Sequence, residues 1–131
     1  MRVFLGGTCN GSRWRNELIQ LLKIDYYNPV VEDWTPECKE EELRQRESCD
    51  YCLYVITPKM TGVYAIAEAV DDSNKRPDKT LFCVLEFDDG KSFLDSQVKS
   101  LMMVIEMIVE NTNTHFSTLK EIAEFLNNEG A

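Results

Sequence analysis

Three runs of residues without polar alternation constrain this chain most: Arg2–Gly6, Tyr51–Thr57 and Thr80–Leu85. A strand with one wet face alternates polar and apolar side chains. A run such as Tyr51-Cys52-Leu53-Tyr54-Val55-Ile56-Thr57 belongs instead to a strand covered on both faces. Between the runs the period changes. Trp14, Leu18, Leu21 and Leu22 recur at helical spacing, as do Leu94, Val98, Leu101, Met102, Ile105, Ile108 and Val109. Thr35-Pro36-Glu37 reads as a helix start: a capping hydroxyl, proline at the first helical position, then an acid at the positive end of the dipole. That helix runs to about Cys49. Val63 to about Ser73 is a closely packing helix with Ala65, Ala67 and Ala69. Thr118-x-x-Glu121 forms a capping box before Leu119, Ile122, Ala123 and Leu126. Two weaker strand signals are Tyr26–Val31, limited by Pro29, and His115-Phe116.

Strands alternating with helices imply parallel pairing and right-handed crossovers. The expected fold is a three-layer α/β/α sandwich, flavodoxin/Rossmann-like, with four or five parallel strands in a single domain over residues 1–131. A chain of 131 residues buries roughly two thirds of its unfolded surface and needs no staples.

Charge and cysteine usage narrow the function classes. A net charge of −9 repels long polyanions, so no nucleic-acid polymer is expected as a partner; a small phosphorylated ligand stays open. No apolar run approaches the roughly 20 residues of a membrane span, and the stretch before Gly6 is too short for a signal peptide, so a cytoplasmic location is expected. An odd count of five cysteines suits reduced thiols. Cys49 and Cys52 form a CxxC, but at the end of a helix rather than the start of one, and no second pair completes a zinc site. We expect buried core cysteines and no metal. The Gly6–Ser12 loop is too poor in Ser and Thr for a flavin phosphate, so no cofactor is expected. His115, the only histidine, has no catalytic partner in view.

In open parallel sheets ligands bind at the carboxyl ends of the strands. That brings together the loops Gly6–Arg15, Val31–Trp34 and Pro58–Gly62. The first holds Gly6, Gly7 and Gly11, the small polar residues Thr8, Asn10 and Ser12, and Arg13 and Arg15 at a helix start. Backbone amides there favour an anion and an arginine can grip it bidentately. On that reading a phosphorylated ligand binds better than its unphosphorylated form. Glu68, among Ile66, Ala67, Ala69 and Val70, is the second feature; it shares a helix side with Tyr64, and a carboxylate there either faces solvent or needs a partner or a function.

Three segments carry a family resemblance: Phe4-Leu5-Gly6-Gly7-Thr8-Cys9-Asn10-Gly11-Ser12, Glu42 through Ile56, and Thr61-Gly62-Val63-Tyr64-Ala65-Ile66-Ala67-Glu68-Ala69. In order and spacing, over roughly Val3 to Leu85, the chain resembles the nucleoside 2-deoxyribosyltransferase family, which includes the 2′-deoxynucleoside 5′-monophosphate N-glycosidases. The resemblance implies that Glu68 is the glutamate that attacks the anomeric carbon. It places Glu42 as the acid that assists near the nucleobase, where the family usually has an aspartate. Another aspartate, common in the transferases about six residues before the nucleophile, is replaced by Gly62. The first-strand loop would contact the sugar or its 5′ end, or cradle a phosphate.

The residue types suit that chemistry. Breaking an N-glycosidic bond develops oxocarbenium character that a carboxylate can stabilise or trap, while a second acid helps the base leave protonated. The helix dipole is expected to hold Glu68 ionised. Asn10, Trp34 and Tyr64 are candidates for hydrogen bonding and stacking, although each of the two aromatics, taken singly, reads as a packing residue. The reading is an enzyme that cleaves or transfers at the N-glycosidic bond of a (deoxy)nucleoside or nucleotide. The alternative is a non-catalytic nucleotide-binding or regulatory module on the same fold, favoured by Gly62 and by Glu42 in place of aspartate. The apolar stripe from Leu94 to Val109, with Met102, Met103 and Met107, suggests a homodimer or higher homo-oligomer.

Overall fold

Along each central strand, alternate side chains go to two separate cores, as covered strands require. Val3, Leu5, Leu53, Val55, Leu81 and Cys83 pack on one side with Trp14, Leu18, Ile122, Ala123 and Leu126. Phe4, Cys52, Tyr54, Ile56 and Phe82 pack on the other with Cys49, Ala69, Leu101 and Ile108. The computed structural model describes every residue from Met1 to Ala131. The element order is β1 (Arg2–Gly7), α1 (Trp14–Leu21), β2 (Asp25–Tyr27), α2 (Pro36–Ser48), β3 (Tyr51–Ile56), α3 (Tyr64–Lys75), β4 (Thr80–Val84), β5 (Phe87–Asp88), β6 (Lys91–Ser92), α4 (Asp95–Thr112) and α5 (Leu119–Glu129).

The main sheet has four parallel strands in the order β2-β1-β3-β4. α1 and α5 cover one face, α3 and α4 the other, giving a three-layer flavodoxin/Rossmann-like sandwich. The chain leaves β1 for β2 on one side and returns to β3 on the other. The loops after β1 and β3 therefore part at a topological switch point, where such sheets open a crevice.

Three expectations change. β2 stops at Tyr27, ahead of Asn28 and Pro29, rather than running to Val31. The expected fifth strand reduces to one parallel bridge between Phe116 and Cys83, so the sheet has four strands and not five. The hairpin of β5 and β6 was not anticipated; its turn places Asp89 and Gly90 at positive φ, the Asp-Gly signature of a tight hairpin.

The helix starts follow their caps. The Thr35 side chain accepts from the Cys38 amide ahead of Pro36, and the Thr118 side chain accepts from the Glu121 amide at 3.1 Å. Thr118→Ala removes that acceptor and is expected to cost about 1 kcal/mol, read as a lower urea midpoint with an unchanged slope. Cys49, Cys52 and Cys83 are buried and all five thiols are free.

Candidate active site

The loop after β1 can exist only because Gly7 lets two strands touch. Gly7 has φ +124°, and a Cβ there would lie 2.1 Å from the Val55 carbonyl oxygen. The following turn is tied down from below. The Thr8 amide donates to the Val55 carbonyl at 2.9 Å, and the Thr57 amide donates to Thr8 Oγ1 at 2.9 Å. Asn10 Nδ2 reaches across to the loop after β3, donating to the Lys59 carbonyl at 3.1 Å and to Thr61 Oγ1 at 2.7 Å.

Arg15 sets the shape of this loop from beneath. It is buried, stacks 4.4 Å from the Trp14 ring centroid, and donates to the carbonyls of Leu5, Thr8 and Gly7 at 2.9, 2.7 and 3.1 Å. Its guanidinium is spent on the backbone, so it is not the anion grip that its position at a helix start suggested. Burial lowers its pKa from the ordinary arginine value.

Above this floor lie two adjoining hollows of about 330 and 270 Å³ that share Trp34, Glu42, Tyr64 and Glu68. Gly7, Thr8, Asn10 and Gly62 complete the expected lining, with Cys9, Met60 and Ala65 beside them. Four other candidates fall outside it. Gly6 packs against the Tyr54 ring, Gly11 stands free at φ +75°, Ser12 turns to Asp88, and Arg13 is exposed at the start of α1. Trp34 and Tyr64 are 58% and 63% exposed, so they form the rim of the cavity and are not packing residues. A larger hollow of about 850 Å³ lies beside β4 and α4. It is mostly apolar and contains neither Glu42 nor Glu68, so the smaller pair is the chemically equipped one.

The two carboxylates come from different helices. Glu42 projects from α2 and Glu68 from the second turn of α3, with its side chain 13% exposed. Between them stands Arg46, one helical turn after Glu42 and almost wholly buried. Arg46 is held rigidly by Asp72: Nε donates to Oδ2 at 3.1 Å and Nη2 to Oδ1 at 2.9 Å, and Nη2 also reaches Asp71 at 3.1 Å. Asp72 is fully buried and receives Arg76 and the Tyr54 hydroxyl as well. This fork leaves Arg46 Nη1 facing Glu68 Oε2 at 3.5 Å.

Burial pushes the Glu68 carboxyl up to about 7; Arg46 opposes this, while Glu42 and Asp72 push it further. The dipole does not win, because its effect fades within the first turn and Glu68 lies beyond it. Burial also raises Glu42, against the pull of Arg46 and Arg15. The sequence reading missed Arg46. Its one signal was the four-residue spacing from Glu42 on the helix that starts at Thr35.

An open parallel sheet with a switch-point cavity carrying two desolvated carboxylates defines a small-molecule α/β domain. Residues 1–86 match the family described as nucleoside 2-deoxyribosyltransferase like, and the chain belongs to that family. The matched residues span β1 to the end of β4 and include every residue of the two hollows. Comparison with curated proteins and with solved structures gave no match. No helix is long and apolar enough to cross a membrane.

Proposed function

We propose that this chain cleaves or transfers at the N-glycosidic bond of a (deoxy)nucleoside or nucleotide, with Glu68 as the nucleophile. One observation carries the reading: Glu68 and Glu42 line one cavity, beside the loop after β1 and under two exposed aromatic rings. The sugar would sit over Glu68 with its 5′ end toward the β1 loop, and the base between Trp34 and Tyr64. The ionised Glu68 carboxylate attacks the anomeric carbon as the carbon–nitrogen bond breaks and its electron pair goes to the base. Glu42, whose carboxyl burial raises above its ordinary value, hands a proton to the departing base. Water or a second base then takes the sugar from Glu68.

The test is free-base release from a panel of nucleosides and 5′-mononucleotides, with Glu68→Gln beside wild type. A binding module on the same fold, which Gly62 and the Glu42 replacement favour, gains one structural feature, the Arg46–Glu68 ion pair, since a structural carboxylate would be paired in this way. Absence of free base from every compound, with the protein folded, would put that reading first.

The same proposal includes a homo-oligomer. On α4, Leu101 and Ile108 are buried while Val98, Met102, Met103 and Met107 are exposed, leaving an apolar face for a second copy. Light scattering at high micromolar concentration should give at least twice the 15.1 kDa chain mass. A monomer mass removes this part.

A further inference from the structure

We infer that the β5–β6 hairpin makes this a site for nucleosides with a free 5′-hydroxyl rather than for 5′-phosphates, with Asp88 as the discriminating residue. The inference rests on the N-glycosidic reading above and on its placing of the 5′ end at the β1 loop.

The loop after β1 and the end of β3 offer two hydroxyl donors next to the start of α1, Ser12 and Thr57. Both are taken by one carboxylate. Asp88 Oδ2 accepts from Ser12 Oγ at 2.6 Å and from Thr57 Oγ1 at 2.5 Å. Ser12 Oγ in turn lies 3.5 Å from the Trp14 amide, the first of α1. Hydroxyls and a helix N-terminus are the donors an incoming phosphate would use. Here the chain's own anion already occupies both hydroxyls, and Ser12 Oγ takes the first amide of the helix.

Two of the nearby cations are committed as well. Lys59 Nζ pairs with Asp89 at 3.1 Å. The Arg15 guanidinium is spent on three carbonyls. A phosphate would therefore have to displace Asp88 from two short hydrogen bonds or lie beside a like charge. A hydroxyl faces neither penalty. The hairpin turn at Asp89 and Gly90 fixes Asp88 in place, and this segment lies beyond residues 1–86, so the family match says nothing of it.

The experiment compares kcat/KM for free-base release from a 2′-deoxynucleoside and from its 5′-monophosphate, in wild type and in Asp88→Asn. Wild type is expected to prefer the nucleoside by at least about tenfold. Asp88→Asn should shrink that ratio by about tenfold, through a lower KM for the monophosphate, because the amide keeps the shape and drops the charge. A ratio internal to each protein cancels any general loss of activity. A wild type that uses the monophosphate as well as the nucleoside overturns the inference, and that comparison holds even if Asp88→Asn fails to fold. So does a ratio unchanged in a folded Asp88→Asn. In both cases base release continues and the proposed function stands. Folded wild type that releases no base from any nucleoside or 5′-mononucleotide of the panel overturns the proposed function and this inference together.

Discussion

Glu68→Gln is expected to lower free-base release at least about a thousandfold, equivalent to about 4 kcal/mol of barrier, while leaving the fold no less stable. An amide is a poor nucleophile and brings no charge to an oxocarbenium-like state. The stability half follows from the direction of the Glu68 shift. Its carboxyl has a folded value of about 7, above the ordinary 4.5. Its protonated form therefore favours the fold fully below about pH 4.5, and that contribution is lost as the pH rises through about 7. At pH 8 the wild type carries an ionised, largely buried carboxylate that glutamine does not. Glu68→Gln should then melt at the same temperature as wild type or higher. The wild-type rate should rise with pH through about 7 as the nucleophile ionises. Glu42→Gln should slow the reaction less, since it removes help to the leaving group and not the attacking atom. A lower melting temperature with an unchanged rate per folded molecule would make Glu68 a structural carboxylate.

Arg46→Met is expected to damage both fold and chemistry. Breaking one partner out of a buried ion pair costs about 3–5 kcal/mol, because the remaining charge stays desolvated. Asp72 keeps Arg76 and the Tyr54 hydroxyl, which puts the loss near the lower end, a melting temperature lower by roughly 10 °C. The chemical effect separates this from ordinary destabilisation. The charges acting on Glu68 are Arg46 and Glu42 from α2, Asp72 from α3 and Arg15 from α1. Of these Arg46 is the largest charge effect, and it favours ionisation. Without it the carboxyl rises further above 7, so the acid limb of the rate profile should move to higher pH. Arg46→Lys keeps a charge but loses the fork on Asp72, and should restore the limb only in part. An acid limb that stays in place in folded Arg46→Met would show that Arg46 serves the fold alone.

The legible parts of this site are those where a single side chain meets a local rule. Glu68 and Tyr64 were legible as one side of one helix, and both line the cavity. Gly7 was legible as a glycine in a loop, but the contact that demands it, with the Val55 carbonyl, needs the β1–β3 pairing to be seen. Arg15 and Arg13 looked alike in the sequence. The first folds under the loop to bind carbonyls and the second stays in solvent, a difference decided by which guanidinium finds unsatisfied acceptors. The Asp89-Gly90 hairpin signature was passed over in the sequence, and nothing local said that Asp88 would reach Ser12, 76 residues away.

By itself, then, the sequence determined the layers: unalternated runs must be covered on both faces, and helices between them force parallel pairing. It also singled out Glu68, the lone acid on the Ala65–Ala69 stretch, as the candidate for chemistry. The tertiary structure alone decided the electrostatics. Arg46 meets Glu68 and Asp72 across 22 and 26 positions of chain, and the desolvation that lifts Glu68 to about 7 arises only when the folded chain buries it. Periodicity is a property of neighbours along the chain. Burial and pairing of charge belong to neighbours in space, and a charge is felt through a low-dielectric interior only after the chain has made one.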